Sequence, residues 1–134
     1  MFKIDQVYER AKIHDLFGGE RQKGISKPAS HDFIMLFSGG AEKASGYENG
    51  WLDDWRYQYS GEGQSGDMQM TGGNRAIRDH APNGKVLYLF ERTAPKFYAF
   101  RGEMTCEGHE LVTNVPGGDG QPRTIILFQL RRRI

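Results

Sequence analysis

Hydrophobic positions in the first forty residues predict one helix and then one buried strand. Within residues 4–17, apolar side chains recur on one side of a helix, and Gly18 and Gly19 end the segment as glycine commonly does past a helix C-terminus. These apolar residues are Ile4, Val7, Ala11 and Leu16. A polar loop follows, and the apolar run FIMLF closed by glycines then predicts a buried strand.

The rest of the chain is predicted to consist mostly of strands. Residues 55–60, WRYQYS, alternate aromatic and polar side chains with the period of a half-buried strand. Asn74 is placed to cap a short basic helix that runs to Ala81, and the turn Pro82-Asn83-Gly84 follows it. Further strand candidates are KVLYLFER, KFYAFRGEM, HELVTNV and TIILFQLRR. This pattern favours the α+β class, with a curved sheet or partly closed barrel and helices packed outside.

Length and composition narrow the class of protein. A chain of 134 residues is expected to form a single domain over residues 1–134, with a core that needs no covalent cross-link. The single cysteine, Cys106, excludes an intramolecular disulfide and a multi-thiolate metal site, and the histidines lack ligand spacing, so we expect neither metal nor cofactor. No apolar run approaches ~18 residues and no signal peptide is evident, which favours a cytoplasmic protein without a membrane partner.

Aromatic and hydrogen-bonding side chains are densest between residues 46 and 60. Tyr47 and Tyr59 flank this segment, and Asn49, Asp53 and Asp54 are polar groups able to read hydrogen-bond edges. The tryptophans and remaining tyrosine divide into two groups: Trp55 and Tyr57 are expected in the core, and Trp51 is expected at a loop tip, as a wedge or groove contact. Aromatic rings and hydrogen-bonding side chains are therefore concentrated in the same segment.

A glycine-punctuated loop over residues 60–73 follows, and its polar tips are Gln64, Ser65, Asp67 and Gln69. Basic residues are clustered although the net charge is only +1. The clusters are Arg21, Lys23 and Lys27; Arg75 and Arg78; and Arg131, Arg132 and Arg133. Each cluster alone is typical of a solvated surface, but three beside an aromatic-rich segment favour nucleic-acid binding, with Arg75 and Arg78 as phosphate contacts.

Three motifs follow one another in fixed order: GGERQKGIS at 18–26, YSGEGQSGDM at 59–68 and GNRAIRDH at 73–80. Together they resemble the SRA domain, a reader of modified cytosine. They are similar above all to the SRA-like domains at the N-termini of McrA-type HNH restriction endonucleases. The resemblance covers residues 21–81 and a C-terminal strand that ends in arginines, and it implies an SRA/PUA-like fold.

The resemblance implies that duplex DNA is bound and that a modified base, 5-methylcytosine or 5-hydroxymethylcytosine, is flipped into an aromatic pocket. Tyr47 and Tyr59 would then be the stacking pair, and Ser60 would lie near the ring methyl group. Two loops would approach the duplex. Their contacting residues are expected to be Arg21, Gln22 and Lys23 in the first, and Gln64, Ser65, Asp67, Met68 and Gln69 in the second.

The residue that reads the base edge stays open at this point. The eukaryotic SRA motif has an aspartate three residues after the first tyrosine, where this chain has Gly50. Asn49 is the nearest polar group, and Asp53 or Asp54 would supply a carboxylate if the loop is shifted. A carboxylate accepts from the amino group of cytosine, whereas an amide both donates and accepts.

Two other classes of function compete with this interpretation. One is a metal-dependent nuclease that uses Asp53, Asp54, Asp67 and His80, although HNH, Ser-His-Asp and phosphate-loop patterns are missing. The other is an RNA-binding module of the PUA-like type. We expect a binding domain without catalytic residues, which acts with a C-terminal HNH nuclease domain or partner.

Overall fold

The computed structural model describes residues 1–39 and 49–133, which form eight strands and two helices. The strands are β1 (Val7–Glu9), β2 (Ile25–Ser26), β3 (Phe33–Ser38), β4 (Gly50–Trp51), β5 (Arg56–Ser60), β6 (Val86–Ala94), β7 (Phe97–Pro116) and β8 (Pro122–Arg132). The helices are α1 (Arg10–Phe17) and α2 (Gly72–Arg78). The predicted α+β class is therefore observed.

All eight strands belong to one sheet with the order β2-β3-β6-β7-β8-β5-β4, and β1 pairs separately with β7. Three strands separate β3 from β5, which corresponds to about 19 Å in a flat sheet. Nevertheless the Tyr59 hydroxyl of β5 donates a hydrogen bond to the Phe37 carbonyl of β3 at 3.2 Å. The sheet is therefore strongly curved. Over the described residues the strand order ends at β2 and β4 and the sheet is not closed, so the predicted curved sheet is observed and the partly closed barrel describes it only roughly.

The apolar run of β3 is buried on both faces of the sheet. β3 pairs in parallel with β6, and every residue from Phe33 to Ser38 is buried. Alternate side chains enter two different cores, which explains a continuous apolar sequence. The concave core includes Leu36, Tyr57, Tyr59 and Phe128, and the opposite core, under α1, includes Phe33, Phe37, Phe90 and Phe100.

The first helix differs from its predicted bounds. α1 begins at Arg10 because Val7–Glu9 pairs with Ala99–Phe97 of β7 as an antiparallel strand. Leu16 is 76% exposed, and the buried residues of α1 are Ile13 and His14. The periodicity over 4–17 therefore predicted the helix but gave the wrong start and the wrong buried face.

The strands near the C-terminus are longer than predicted. KFYAFRGEM and HELVTNV are parts of one strand, β7, which pairs with β8 along most of its length. Trp55 precedes β5 and is exposed, so its expected place in the core is wrong, whereas Tyr57 is buried as expected. The start of β8 in the long β7–β8 pair holds the loop 61–71.

Candidate functional site

A cavity of about 580 Å³ lies between the loop 18–24, the end of β5 and the loop 61–71. Its walls combine aromatic, amide, hydroxyl and carboxylate side chains with glycine backbone. The lining residues that the sequence predicted for the site are Gln22, Lys23, Asn49, Tyr59, Ser60, Gln64, Ser65, Asp67, Met68 and Gln69. The fold thus brings the two predicted loops and part of the predicted pocket to one place.

Tyr59 forms an aromatic part of the wall. It is 3% exposed, and its hydroxyl group is held by the carbonyl of Phe37. A Cβ atom at Gly24 would lie only 3.0 Å from this hydroxyl, so the first loop passes close to the ring. The ring position is therefore fixed by the strand β3 and by the loop 18–24 together.

Asn49 supplies an amide of defined orientation beside Tyr59. Its Oδ1 accepts a hydrogen bond from the backbone N–H of Ser60 at 2.7 Å, and its Nδ2 donates to Ser38 Oγ at 3.2 Å. Ser38 Oγ in turn shares a 2.6 Å hydrogen bond with the Tyr57 hydroxyl. A backbone N–H can only donate, so the oxygen of the amide must face Ser60. One lone pair of Oδ1 and one N–H of Nδ2 lie outside these two bonds.

Asn74 and Glu62 clamp the second loop onto α2. Asn74 Oδ1 accepts from the Glu62 N–H at 2.8 Å, and its Nδ2 donates to the carbonyls of Glu62 and Gln69, both at 3.0 Å. Glu62 Oε2 accepts from the Gly73 N–H at 3.0 Å. A Cβ atom at Gly61 would lie 2.7 Å from Asn74 Oδ1, and one at Gly73 would lie 2.8 Å from Glu62 Oε1. Only glycine allows these approaches without displacing the clamp.

Asn74 therefore does not cap the helix, although its position before the apolar residues predicted that it would. α2 begins at Gly72, and its N-terminal flanking residue is Thr71, whose side chain makes no capping bond. The Asn74 side chain instead forms three hydrogen bonds with the loop. Its role is to shape the cavity wall.

The start of β8 holds the same loop from the other side. Arg123 is 4% exposed and donates to the carbonyls of Gly63 at 2.6 Å and Gly66 at 3.3 Å. Asp67 Oδ1 accepts from the Thr124 N–H at 2.7 Å. Met68 is buried in the concave core, and its Sδ accepts from the Ile126 N–H at 3.3 Å. Of the five predicted contacts in this loop, Gln64, Ser65 and Gln69 have side chains that are exposed and not held by β8.

Asp53 and Asp54 do not line the cavity and lie in the turn between β4 and β5. Asp53 accepts hydrogen bonds from the N–H groups of Trp55 and Arg56 and from Arg56 Nε, each at 2.8 Å. These bonds, first that from the Trp55 N–H, lower the pKa of Asp53 to about 2. Its carboxylate therefore stabilises the turn, and the expectation that Asp53 or Asp54 belongs to the pocket is wrong.

Two other predicted residues lie elsewhere than expected. Trp51 is not at a loop tip but on β4, where it packs edge-on against Tyr57 and donates from Nε1 to Glu91 at 2.8 Å. The guanidinium of Arg132 lies 4.3 Å from its ring centroid. Arg21 does not line the cavity and forms a 2.6 Å ion pair with Asp15. The expected stacking residue Tyr47 lies outside the described residues.

The basic clusters have different surroundings. Arg78 forms two hydrogen bonds with Asp79, which raise the pKa of Arg78 and lower that of Asp79. Arg75 is exposed, and its side chain forms no ion pair within residues 1–39 and 49–133. Arg133 pairs with Glu103 at 3.2 Å. Arg75 is therefore the cation of α2 best placed to meet an external anion.

Three residues of the nuclease alternative, Asp53, Asp67 and His80, are held in separate contacts. His80 Nδ1 bonds the Lys85 carbonyl at 2.8 Å, and its Nε2 accepts from the Cys106 N–H at 3.1 Å. Asp67 bonds Thr124, and Asp53 holds its own turn. In the described part of the chain, no three His, Cys, Asp or Glu side chains are grouped as metal ligands. The helices described there are too short or too polar to cross a membrane.

Sequence reasoning missed several residues that build the cavity. Glu62 and Asn74 lie inside the quoted motifs, so their positions, though not their mutual hydrogen bonds, carried a signal. Phe37 lines the cavity from the end of an apolar run, which predicted only a buried strand. Arg123 follows a proline in a segment without a motif, and its contact with the loop 57 to 60 residues earlier left no signal in the sequence.

Known proteins were compared with this chain by sequence and by structure. A family profile described as the SRA domain of ScoMcrA-like proteins matches residues 4–133. No curated protein sequence matched the chain. A structure of the sulfur binding domain and SRA domain of ScoMcrA with phosphorothioated DNA superposes with a TM-score of 0.74 at 23% identity, covering 97% of this chain and 39% of that one.

The SRA domain of SUVH5 with hemimethylated CG DNA superposes with a TM-score of 0.72 at 20% identity, covering 99% of this chain and 89% of that one. Identities this low show a shared fold. The chain spans only 28% of the structure of ScoMcrA described as a type IV phosphorothioation-dependent restriction endonuclease. Since the profile extends over almost the whole chain, the resemblance seen in the motifs is confirmed, and the chain belongs to the family of ScoMcrA-like SRA domains.

Proposed function

We propose that this chain binds duplex DNA carrying a modified base, 5-methylcytosine or 5-hydroxymethylcytosine, and takes the flipped base into the cavity described above. The observation that carries the proposal is the cavity itself, where an aromatic ring, an oriented amide and a hydroxyl meet between two loops. Its volume of about 580 Å³ lies within the ~300–1,000 Å³ range of small-molecule sites. A nucleobase is a flat ligand of that class.

Stacking supplies the first part of the binding energy. Flipping a base costs a few kcal/mol of unstacking and unpairing, and a base stacked on an aromatic side chain recovers roughly 1–3 kcal/mol. Tyr59 is a fixed aromatic wall of the cavity. In this proposal Tyr47 supplies the opposite face of the stack.

Hydrogen bonding to the base edge supplies the second part. Asn49 retains one acceptor site and one donor beyond its bonds to Ser60 and Ser38. Such an amide matches the amino group and the neighbouring ring nitrogen of cytosine. Because Asp53 and Asp54 lie outside the cavity, the edge reader in this proposal is Asn49. Ser60 adjoins it and is the residue proposed to lie beside the 5-substituent.

The loops and basic residues supply contacts with the duplex. Gln22 and Lys23 enter from one side of the cavity, and Gln64 and Ser65 from the other. Arg75 is proposed to contact phosphate oxygens, which adds affinity without sequence information.

SRA domains are DNA-binding modules rather than catalytic ones, so cleavage would come from another domain or a partner. The SUVH5 domain is seen with methylated and with hydroxymethylated CG DNA. The ScoMcrA structure with phosphorothioated DNA contains a separate sulfur binding domain beside its SRA domain. The base modification is therefore the proposed ligand of this chain, with an HNH nuclease domain as the partner that cuts.

The test is a competition series with duplexes that differ at one position. The arms carry cytosine, 5-methylcytosine, 5-hydroxymethylcytosine, N6-methyladenine or a backbone phosphorothioate, and one further arm is single-stranded RNA. We expect one of the two modified cytosines to bind at least about tenfold more tightly than cytosine. Tighter binding to the phosphorothioate or to RNA would refute the proposal, and so would equal affinity for all the duplexes.

A further inference from the structure

Two carbonyl groups on either side of Gln22 are held by a single side chain that does not line the cavity. The guanidinium of Arg10 donates through one terminal nitrogen to the carbonyl of Glu20 at 3.1 Å and to the carbonyl of Lys23. Arg10 is the first residue of α1 and is 10 and 13 residues away from these partners in the chain. One planar group thus fixes both ends of the short segment that contains Gln22.

Arg10 is itself held rigidly. Its backbone N–H donates to the Lys96 carbonyl at 2.9 Å, and its guanidinium carbon lies 3.9 Å from the ring centroid of Phe37. Its Nε donates to His14 Nε2 at 3.0 Å. A guanidinium stacked on an aromatic ring and bonded through several N–H groups has little remaining freedom.

His14 connects the same cation to the start of the loop. His14 is 2% exposed, and its Nδ1 bonds the Gly18 carbonyl at 2.8 Å. Since Nε2 accepts from Arg10, Nδ1 must carry the proton, so the imidazole is in the neutral Nδ1–H tautomer. The loop 18–24 is therefore fastened at Gly18, Glu20 and Lys23 by two side chains of α1.

The side chains at the tip of this loop are not fastened in the same way. Within residues 1–39 and 49–133, the side chains of Gln22 and Lys23 form neither a hydrogen bond nor an ion pair, although both line the cavity. The loop backbone is thus preorganised, and the side chains of Gln22 and Lys23 are available to contact a ligand. Preorganisation favours binding because the loop does not have to be ordered when the ligand binds.

We infer that Arg10, supported by His14, is a positioning residue for DNA discrimination, which holds the backbone around Gln22 so that this side chain can fill the space a flipped base vacates. The inference rests on the proposed function, since it assigns Arg10 an effect on modified duplex alone. Arg10 itself does not contact DNA in this account. Its guanidinium group instead bonds the loop carbonyls and packs on the Phe37 ring.

The first experiment compares Arg10→Gln with Lys12→Gln. Lys12 is exposed on the same helix, and within the described residues it forms no ion pair or hydrogen bond, so the two variants lose the same charge. Affinities are measured for duplexes with cytosine and with the preferred modified base. We expect Arg10→Gln to weaken the modified duplex about tenfold, the equivalent of one charge-assisted hydrogen bond, with little change on cytosine. Lys12→Gln should leave the ratio of the two affinities unchanged.

The second experiment asks whether Arg10 acts through Gln22. In a Gln22→Ala background, Arg10→Gln should have little further effect on the modified duplex, because the side chain being positioned is already gone. Full additivity of the two losses would overturn the inference. So would an equal loss on both duplexes for Arg10→Gln alone, which would mark Arg10 as a general structural or charge contact.

The third experiment needs no DNA and separates this inference from the proposed function. Amide hydrogen exchange of the loop 18–24 should be faster in Arg10→Gln than in the wild type and Lys12→Gln. Unchanged exchange would overturn the inference whatever the DNA results are. Failure of the wild type to discriminate modified DNA would overturn the proposed function, and exchange would still decide whether Arg10 orders the loop. If Arg10→Gln does not fold, Arg10→Lys, which keeps the charge but lacks the planar fork, goes through the same measurements with the same expected outcomes.

Discussion

Tyr59 both packs in the concave core and lines the cavity, and two substitutions separate these roles. Tyr59→Phe keeps the ring and loses the hydroxyl bond to Phe37, so affinity for modified duplex should change little. Tyr59→Leu fills part of the core but has no aromatic face, and it should weaken modified duplex by ~1–3 kcal/mol. Fluorescence anisotropy titrations of both variants measure this. A loss of the same size on unmodified duplex would show that Tyr59 is scaffold only.

Asn49 and Asp53 give opposite expectations although they are four residues apart. Asn49→Ala removes the oriented amide together with its 2.7 Å bond to the Ser60 N–H, and should weaken modified duplex by about 1–3 kcal/mol. Asp53→Ala is the matched control, because its carboxylate stabilises the β4–β5 turn and does not line the cavity. Isothermal titration of both variants with modified duplex decides between them. A larger loss for Asp53→Ala would restore a carboxylate as the edge reader.

His14 predicts a pH dependence of stability. Burial lowers the pKa of His14 below its usual 6.5. The bond to Gly18 raises this pKa and the charge of Arg10 lowers it further. The charges of Arg21 and Glu20 act in opposite directions. Between the lowered folded pKa and about 6.5, the unfolded chain binds more protons, so stability should fall as pH decreases through this window. Above it the contribution of His14 should be constant. Thermal unfolding of wild type and His14→Gln between about pH 5 and 7.5 tests this, and parallel pH profiles would contradict it.

At the scale of elements, the second loop owes its shape to the clamp formed by Asn74 and Glu62. Asn74→Ala removes three hydrogen bonds from part-buried backbone groups of Glu62 and Gln69, so we expect a loss of unfolding free energy of roughly 2–4 kcal/mol. Arg75→Ala, the next residue on α2, is exposed and should change stability by less than about 0.5 kcal/mol. Urea unfolding provides both values. Equal stabilities would mean that the loop does not depend on the clamp.

The elements that could be predicted from the sequence are those with strong local periodicity. The apolar run of β3 and the alternation in β5 each predicted a strand that the structure contains. β1 could not be predicted, because its three residues are strand only through pairing with Ala99–Phe97 about ninety residues later. The same pairing delays the start of α1 to Arg10.

In the candidate site, too, residues within a local motif could be predicted from the sequence, whereas residues that act through contacts distant in the chain could not. Gln22, Ser60 and Gln64, which the motifs assigned to the site, all line the cavity, because each motif forms one loop or strand end. Asp53 was misassigned since turn hydrogen bonds to the backbone of Trp55 and Arg56, which spacing does not reveal, decide where its carboxylate points. Arg10 and Arg123 support the two loops from distant elements, and contacts of that kind are invisible without the fold.

At the scale of the whole molecule, the curvature of one open sheet creates the site. Curvature brings β5 back to β3, so that Tyr59, Phe37 and the loop 18–24 meet although three strands separate β3 from β5 in the sheet. The loop 61–71 is then held against the start of β8 and against α2, opposite the first loop. Backbone groups of the first loop are held by α1, and backbone groups of the second loop are held by β8. The side chains of Gln22 and Gln64 line the cavity between them.

In the proposed function, a modified base leaves the duplex and enters this cavity. Base flipping can be followed by the fluorescence of 2-aminopurine placed beside 5-methylcytosine or 5-hydroxymethylcytosine in the duplex, because loss of stacking on a flipped neighbour increases the emission. We expect the emission to rise on binding to modified duplex, to change little with cytosine, and to rise less for Tyr59→Leu than for Tyr59→Phe at saturating protein. Tight, modification-dependent binding without any rise in emission would contradict the proposal.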